Sequence, residues 1–306
     1  MLSIDPNAEL LDFCEPLTHA AMTEYLAILA DRYGILTVST LAQSILSRSI
    51  PLLRLGTGDK SILYVGAHHG SEWLTSVLLL RFVNDLCSCH AANKPSEGLL
   101  LSYLLSTRSI YILPMLNPDG VDLSINGAED SLLRERQIRQ NGGSTDFTHW
   151  QANARGVDLN HNYNVGFLSY KKWERENAIT AGRTRYSGEC PESEPESAAL
   201  AALIRTLSPT LVLTLHTQGE EIYYGKREGS ASHKLAEQLS RLSGYRTARA
   251  EGPAAYGGLT DWLSDELDIP ACTLECGIGE NPLPLSDYPA IYAGLRRALF
   301  IAPTLL

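Results

Sequence analysis

Residues 61–72, with the sequence SILYVGAHHGSE, join an apolar segment to two histidines and a glutamate. The apolar run at 61–65 predicts a short buried strand, and the apolar spacing from Glu72 to about Leu86 predicts a long amphipathic helix. His69 and Glu72 therefore lie where a strand runs into a helix, a kind of junction that commonly carries ligands in α/β folds.

The remainder of the chain alternates short apolar segments with longer helical patterns as far as residue 302. This alternation predicts an α/β fold in a single domain, with a central twisted sheet that is mixed but mostly parallel and helices on both of its faces. Further strands are predicted at 51–55, 110–114, 211–216 and 271–275, and further helices at 17–33 and from the capping-box pair Ser193 and Glu196 to about Leu207.

Turn-forming residues add local detail to this layout. Residues 56–59, between the apolar runs 51–55 and 61–65, predict a β-hairpin. The sequence Asn-Pro-Asp-Gly at 117–120 predicts a tight turn, and residues 121–165 after it look rich in loops.

Composition and charge exclude several classes of protein. At 306 residues and 44% hydrophobic composition, the chain can bury one large core. We expect a helical lead-in at 1–44 packed on a main domain at 45–306, because nothing between them is typical of a linker or a repeat. The net charge of -10 argues against a nucleic-acid partner. The six cysteines form no CxxC pair, which indicates reduced thiols.

The sequence also bears on localisation. No stretch reaches the roughly 18 apolar residues that a membrane span needs, so no membrane partner is expected. The N-terminal residues lack the basic and apolar regions of a signal peptide. We therefore expect a soluble cytoplasmic protein, with a mature exported form that has lost its leader as the alternative.

Two more polar side chains end apolar strand patterns: His216 follows 211–215, and Glu275 follows 271–274. Two histidines and one glutamate form a known ligand set for catalytic zinc, which leaves a fourth position for water, and a further carboxylate can serve as general base. An HxxE pair alone is weak evidence, because with eight histidines a chance match is about an even bet.

The order of several motifs strengthens this interpretation. They are HGSEW, LNPDG, NARGVDLNHNY, SEPE, LHTQGE, GGLTDW and TLECG. In this order they resemble the M14 zinc carboxypeptidase family. The resemblance implies that His69, Glu72 and His216 bind one zinc ion per chain and that Glu275 takes the proton of the zinc-bound water. His68 adjoins these ligands and is expected to support them rather than bind the metal.

The resemblance also implies an arginine that stabilises the oxyanion. Residues 134–140 are similar to the family segment that carries it, and Arg139 is the first choice, with Arg136 and Arg134 as alternatives. A solvated charged helix is the other interpretation of this segment.

Two residues near the GGLTDW motif have implied roles at the substrate. Tyr256 is shifted toward the two glycines relative to the family's catalytic tyrosine, so it is either a phenol that swings over the substrate or a packing residue. Thr260 resembles the wall of the specificity pocket and suggests that the pocket is polar. A helix N-cap is the competing role of Thr260.

One departure from the family concerns substrate binding. Members that cut at the C terminus usually grip the terminal carboxylate with an Asn-Arg pair, whereas this chain has Asn160 and His161. A neutral imidazole cannot supply a permanent bidentate cation, which puts ordinary carboxypeptidase specificity in doubt. The sequences NHNY and HTQGEEIY instead resemble the bacterial branch that cuts the γ-D-glutamyl-diaminopimelate bond of peptidoglycan peptides.

Diaminopimelate carries an extra amine and an extra carboxylate. Glu220 or Glu221 is a candidate to bind the amine, and Arg185 or Arg183 is a candidate to bind the carboxylate. Structural salt bridges or solvated charges are the alternatives for all of them.

The predicted function is zinc-dependent hydrolysis of the γ-D-glutamyl-meso-diaminopimelate bond in small muropeptides. One alternative is a carboxypeptidase or amidohydrolase that acts on other small acyl-amino acids. Another is a catalytically silent muropeptide-binding protein. A serine hydrolase is disfavoured, since the chain lacks a GxSxG elbow.

Overall fold

The computed structural model describes residues 13–306, so the first part of the predicted lead-in lies outside the described residues. The strands in this range are β1 Thr37–Gln43, β2 Ser49–Leu55, β3 Lys60–Val65, β4 Arg108–Leu113, β5 Leu211–His216, β6 Glu221–Tyr223, β7 Arg246–Ala248 and β8 Ala271–Glu275. They form one eight-stranded sheet in the order β1-β2-β4-β3-β5-β8-β6-β7.

The sheet is mixed and mostly parallel, as predicted. The run β4-β3-β5-β8 is parallel throughout, and β6 pairs in parallel with β7. Antiparallel pairing joins β1 to β2, β2 to β4 and β6 to β8. The carboxyl ends of β3, β5 and β8 therefore meet at one edge of the sheet.

Helices cover both faces of the sheet, which confirms the predicted fold class. They are α1 His19–Arg32, α2 Leu74–Ala91, α3 Leu101–Thr107, α4 Pro118–Asn126, α5 Arg134–Gln140, α6 Phe167–Glu176, α7 Pro195–Leu207, α8 Ala231–Ser243, α9 Leu259–Asp261 and α10 Tyr288–Ile301. Successive side chains of a strand point to opposite faces. In β3, Ile62 and Tyr64 join a core with α1, α2, α8 and α10, whereas Leu63 and Val65 join a second core with α7.

The predicted hairpin at 51–65 is wrong, because β4 lies between β2 and β3 and pairs with both. The turn residues 56–59 instead cross the backbone at the start of β4. Thr57 donates its N–H to the Leu105 carbonyl, and a methyl group on Gly58 would overlap the Thr107 backbone. The glycine at 58 therefore permits a close chain crossing rather than a two-strand reversal.

The described part of the lead-in contains a helix and a strand. Helix α1 begins after Thr18, whose hydroxyl accepts a hydrogen bond from the Ala21 N–H at 3.2 Å. Strand β1 follows and pairs with β2 at the edge of the sheet. The lead-in thus extends the sheet itself, which the helical pattern alone did not reveal.

Two local predictions need correction. Residues 117–120 begin α4 rather than form an isolated turn: the Asn117 side chain accepts a hydrogen bond from the Gly120 N–H at 2.9 Å, and Pro118 occupies the first helical position. The capping box at Ser193 does not form, because α7 begins one residue later, with Glu194 as its N-cap. No helix of the described residues is long and apolar enough to cross a membrane.

Candidate metal centre and active site

The ends of three neighbouring parallel strands assemble the candidate site. His216 ends β5 and Glu275 ends β8, and the two residues lie opposite each other in the ladder. The loop after β3 carries His69, and a short 3-10 turn, Gly70–Glu72, leads into α2. Carboxyl ends of parallel strands are where open α/β sheets bind ligands.

His69, Glu72 and His216 form a compact cluster in which one ligand atom from each residue lies within 4.8 Å of the others. Glu72 Oε1 is 2.8 Å from His69 Nδ1, and Glu72 Oε2 is 2.9 Å from His216 Nδ1. Two imidazole nitrogens and a carboxylate this close together are the donor set of a catalytic zinc site. The cluster therefore fits a metal ion.

The electrostatics of this cluster favour an ionised ligand carboxylate. Burial alone would raise the pKa of Glu72, but His69 and His216 outweigh it through charge and hydrogen bonds and lower the pKa to about 2. A deprotonated carboxylate is the form that binds a metal.

Asp158 holds the other nitrogen of His69. Its Oδ1 is 3.2 Å from His69 Nε2, while its Oδ2 accepts the Arg185 N–H at 2.9 Å. Metal-binding histidines usually donate their second N–H to such a carboxylate, which fixes the ring orientation. Asp158 was not predicted from the sequence, although it stands inside the NARGVDLNHNY motif.

His68 packs against the cluster from the protein interior. It is fully buried and stacks on His216 with ring centroids 5.3 Å apart, and its Nε2 is 3.2 Å from the Tyr163 hydroxyl. Burial first, and then His216 and His69, lower the pKa of His68 well below its usual range. A neutral ring packed on a ligand suits the supporting role that the sequence predicts.

The backbone of the His68–Gly70 loop is fixed by buried contacts. Asn117 Nδ2 donates to the His68 carbonyl at 3.0 Å, and the Gly70 N–H donates to the Gln151 carbonyl at 2.9 Å. A methyl group on Gly70 would overlap the Gly120 backbone. The loop therefore needs glycine at this position.

Glu275 is a separate carboxyl group beside the cluster. Its pKa is raised to about 8, chiefly by burial and then by the neighbouring Glu72 charge, while His69 opposes the shift. Strand β6 places Glu221 opposite Glu275 on its other side. Glu275 thus stands next to the three-residue cluster without being part of it.

The described contacts of the three candidate arginines lie within residues 129–155. The Arg139 side chain is 72% exposed and lies 3.8 Å from Glu135. Arg134 pairs with Glu129, and Arg136 donates to the Arg155 carbonyl. None of these contacts reaches the metal cluster.

Asn160, His161 and Tyr256 lie together on two adjoining loops. His161 Nδ1 donates to the Tyr256 carbonyl at 2.7 Å, and its ring stacks on Tyr170 at 4.2 Å. Asn160 Oδ1 accepts the Leu259 N–H at 3.1 Å. The Tyr256 ring packs on Gly166, with Lys226 Nζ 4.6 Å from its centroid.

Thr260 belongs to a buried chain of hydroxyl groups. Its Oγ1 is 2.7 Å from Thr273 Oγ1, which in turn is 2.8 Å from Thr214 Oγ1. The N-cap of α9 is Gly258, so Thr260 does not have the competing capping role. Thr214 and Thr273 stand two residues before His216 and Glu275 and thus point to the same face of the sheet. That spacing was the signal for this polar surface.

The charged candidates for substrate binding differ in their surroundings. Glu221 is engaged by Arg246 at 2.5 Å and by the Tyr223 hydroxyl at 2.6 Å. Glu220 is exposed on the loop before β6. Arg183 and Arg185 have exposed side chains. The backbone of each forms hydrogen bonds with residues of the segment 151–158, which contains Asp158.

Comparison with known proteins agrees with this geometry. The family model for zinc carboxypeptidases, Peptidase_M14, matches residues 22–290. Gamma-D-glutamyl-L-diamino acid endopeptidase 1 of Lysinibacillus sphaericus is 36% identical over 266 residues, which are 85% of this chain and 65% of that protein. Protein YqgT of Bacillus subtilis strain 168 is 33% identical over 292 residues, or 92% and 76% of the two chains.

Solved structures show the same fold. Carboxypeptidase A from Helicoverpa armigera superposes with a TM-score of 0.69 at 20% identity, covering 96% of this chain and 74% of that one. The chain spans just under two thirds of the length of the endopeptidase, 65%, and 56% of rat carboxypeptidase A2. By its family match and its relatives, the chain belongs to the M14 zinc carboxypeptidase family, as the order of its motifs predicted.

Proposed function

We propose that this chain is a zinc-dependent peptidase that hydrolyses the γ-D-glutamyl-meso-diaminopimelate bond of peptidoglycan-derived peptides. The observation that carries the proposal is the convergence of His69, Glu72 and His216 with a separate carboxyl, Glu275, at the ends of neighbouring strands. Family membership and the similarity to an endopeptidase that acts on γ-D-glutamyl-L-diamino acids support it.

The chemistry divides between the metal and the protein. When bound by His69, Glu72 and His216, zinc supplies Lewis acidity that polarises a carbonyl and acidifies a water molecule. A cation bound beside Glu275 would lower its raised pKa, and the carboxylate would then take a proton from the attacking water and pass it to the leaving amine. Asp158 keeps the His69 ring oriented throughout.

The substrate-binding side differs from a typical carboxypeptidase. The Nδ1 of His161 donates to the Tyr256 carbonyl and its ring stacks on Tyr170, so His161 serves to join two loops. The charge that holds a substrate carboxylate then has to come from another side chain. Arg185 is the best placed, because its N–H bonds Asp158 and its guanidinium is exposed.

The extra amine and the polar pocket have candidates of their own. Glu220 can bind the amine of diaminopimelate, because Glu221 is already paired with Arg246. Asn160, next to His161, is the candidate to bind the substrate beside it, and the hydroxyl of Thr260 would make the wall of the pocket polar.

The test is mass-spectrometric detection of products from L-Ala-γ-D-Glu-meso-diaminopimelate, with Glu275→Gln as the matched control. We expect L-Ala-γ-D-Glu and free diaminopimelate from the zinc-loaded wild type and neither from the variant. Cleavage of blocked C-terminal dipeptides alone would favour a general carboxypeptidase or amidohydrolase. Tight peptide binding without turnover would identify a silent binding protein.

A further inference from the structure

We propose that Asn281 is a positioning residue that holds the Glu72 carboxylate toward both histidines of the metal cluster. Asn281 lies in the loop after β8, outside every motif that the sequence analysis used. The inference rests on the proposed metal site but not on the identity of the peptide substrate.

The two oxygens of Glu72 have matching surroundings. Oε1 is 2.8 Å from His69 Nδ1 and 3.5 Å from Asn281 Nδ2. Oε2 is 2.9 Å from His216 Nδ1 and 3.3 Å from the Thr217 backbone N. Each oxygen therefore faces one histidine and one N–H donor. The two N–H donors fix the plane of the carboxylate.

Asn281 and Thr217 orient each other through a reciprocal pair of hydrogen bonds. Thr217 Oγ1 donates to Asn281 Oδ1 at 2.6 Å, and Asn281 Nδ2 donates to the Thr217 carbonyl at 2.7 Å. A flipped amide would turn Oδ1 toward the Thr217 carbonyl and Glu72 Oε1, which can only accept hydrogen bonds, so Nδ2 stays on the Glu72 side. Asn281 thus acts on Oε1 directly and on Oε2 through the backbone of Thr217.

The loop that carries Asn281 is anchored on both sides. His149 Nδ1 donates to the Asn281 carbonyl at 2.7 Å, which ties the loop to the segment before Trp150. Leu283 is buried in the core, where it contacts the region of Gly277 and Gly279. A fixed loop can hold the amide in place without help from the substrate.

If Asn281 positions the Glu72 carboxylate, loss of its amide should lower the affinity of the site for a metal ion. A glutamate side chain has three torsions, and without its N–H donors the carboxylate can rotate away from the shared point of the two imidazoles. Removal of a group that orients a metal ligand typically lowers metal affinity about 10- to 100-fold.

The experiment measures zinc affinity by competition with a chromophoric chelator, together with the absorption spectrum of the cobalt(II) form. Asn281→Ala should bind zinc about 10- to 100-fold more weakly and shift the cobalt bands. Thr217→Val keeps the backbone groups and loses only the hydroxyl, so its effect should be smaller. The double variant should be no weaker than Asn281→Ala alone, because both changes break the same pair.

The matched control is Asn141→Ala, which removes an amide that bonds two backbone carbonyls on an exposed turn. It should leave zinc affinity and the cobalt spectrum unchanged, and thermal melting of the metal-free proteins reports whether each variant folds. Equal zinc affinity and identical spectra for Asn281→Ala and Asn141→Ala would overturn the inference. If Asn281→Ala does not fold, unchanged zinc affinity and spectrum in Thr217→Val would overturn it instead.

The two proposals fail in different ways. If the wild type binds no zinc, both the proposed metal site and the proposed role of Asn281 are wrong. A wild type that binds zinc but leaves the diaminopimelate peptide intact contradicts the proposed substrate, while weaker zinc binding in Asn281→Ala still supports the role of Asn281.

Discussion

His216 and Glu275 are the last residues of β5 and β8, and they lie directly opposite each other in the parallel ladder between these strands. Residues at opposite positions of a parallel pair point to the same face of the sheet, so the ladder itself brings a proposed metal ligand and the proposed base to one side. The spacing between them does not depend on a loop. This relationship explains why His216 and Glu275, which end two short strands far apart in the sequence, belong to one site.

The orientation of His69 is expected to depend on Asp158. Asp158→Asn replaces the carboxylate by a neutral amide of similar shape and should weaken zinc binding about 10- to 100-fold. Chelator competition measures the change, with the exposed Asp146→Asn as control. Equal affinities of the two variants would show that Asp158 is not needed to orient the ring.

The free energy of unfolding is expected to fall as pH rises, because of Glu196. Burial, with the nearby Asp119 charge, raises the pKa of this carboxyl from 4.5 to about 7. Between these values the folded chain binds a proton that the unfolded chain has released, so the free energy of unfolding falls as pH rises and levels off above about 7. The shift corresponds to at most roughly 3 kcal/mol.

Denaturant unfolding at a series of pH values between 5 and 8 tests this expectation. Glu196→Gln keeps the shape of the side chain and cannot titrate, so its stability should depend less on pH than that of the wild type. Parallel pH profiles for the two proteins would contradict the assignment.

Gly70→Ala should destabilise the fold and weaken zinc binding, because the added methyl group overlaps the Gly120 backbone beside the ligand loop. Overpacking of this kind costs about 1–3 kcal/mol. Gly34→Ala is the control, since nothing lies within 4 Å of a methyl group there. Thermal melting of the two variants measures their stability, and chelator competition measures their zinc binding. A Gly70→Ala protein as stable as Gly34→Ala would show that the loop can move aside.

Arg185→Ala should raise KM for the diaminopimelate tripeptide about 10- to 100-fold, the range expected when a hydrogen bond to a charged group is lost. The value of kcat should change little, because the guanidinium is proposed to bind a part of the substrate that does not react. Steady-state kinetics of the variant and of Lys172→Ala, an exposed cation on α6, provide the comparison. An unchanged KM would remove Arg185 from the proposed site.

The metal cluster and the fold class could be predicted because they depend on sequence patterns that are short and continuous, or that follow each other in a fixed order. His69 and Glu72 share one junction, and His216 and Glu275 each end an apolar run. Alternation of short strands and helices is also a local signal, so the mixed sheet with helices on both faces was predicted correctly. The strand order was not fully predictable: residues 56–59 have the composition of a hairpin turn, although β4 separates the strands they join.

The supporting residues could not be found in the same way, because they act across loops. Asp158 and Asn281 contact proposed metal ligands that lie far away in the sequence, and nothing in their own neighbourhoods shows these contacts. The role of Asn117 was also missed. Its Asn-Pro-Asp-Gly context is typical of a turn, but here it begins α4 and holds the His68 carbonyl.

The central claim is that His69, Glu72 and His216 bind one zinc ion beside Glu275. Native mass spectrometry of the reconstituted protein tests it most directly. We expect one zinc ion per chain in the wild type and in Glu275→Gln, and none in His216→Ala. A wild type without zinc, or a His216→Ala protein that keeps a full equivalent, would contradict the account.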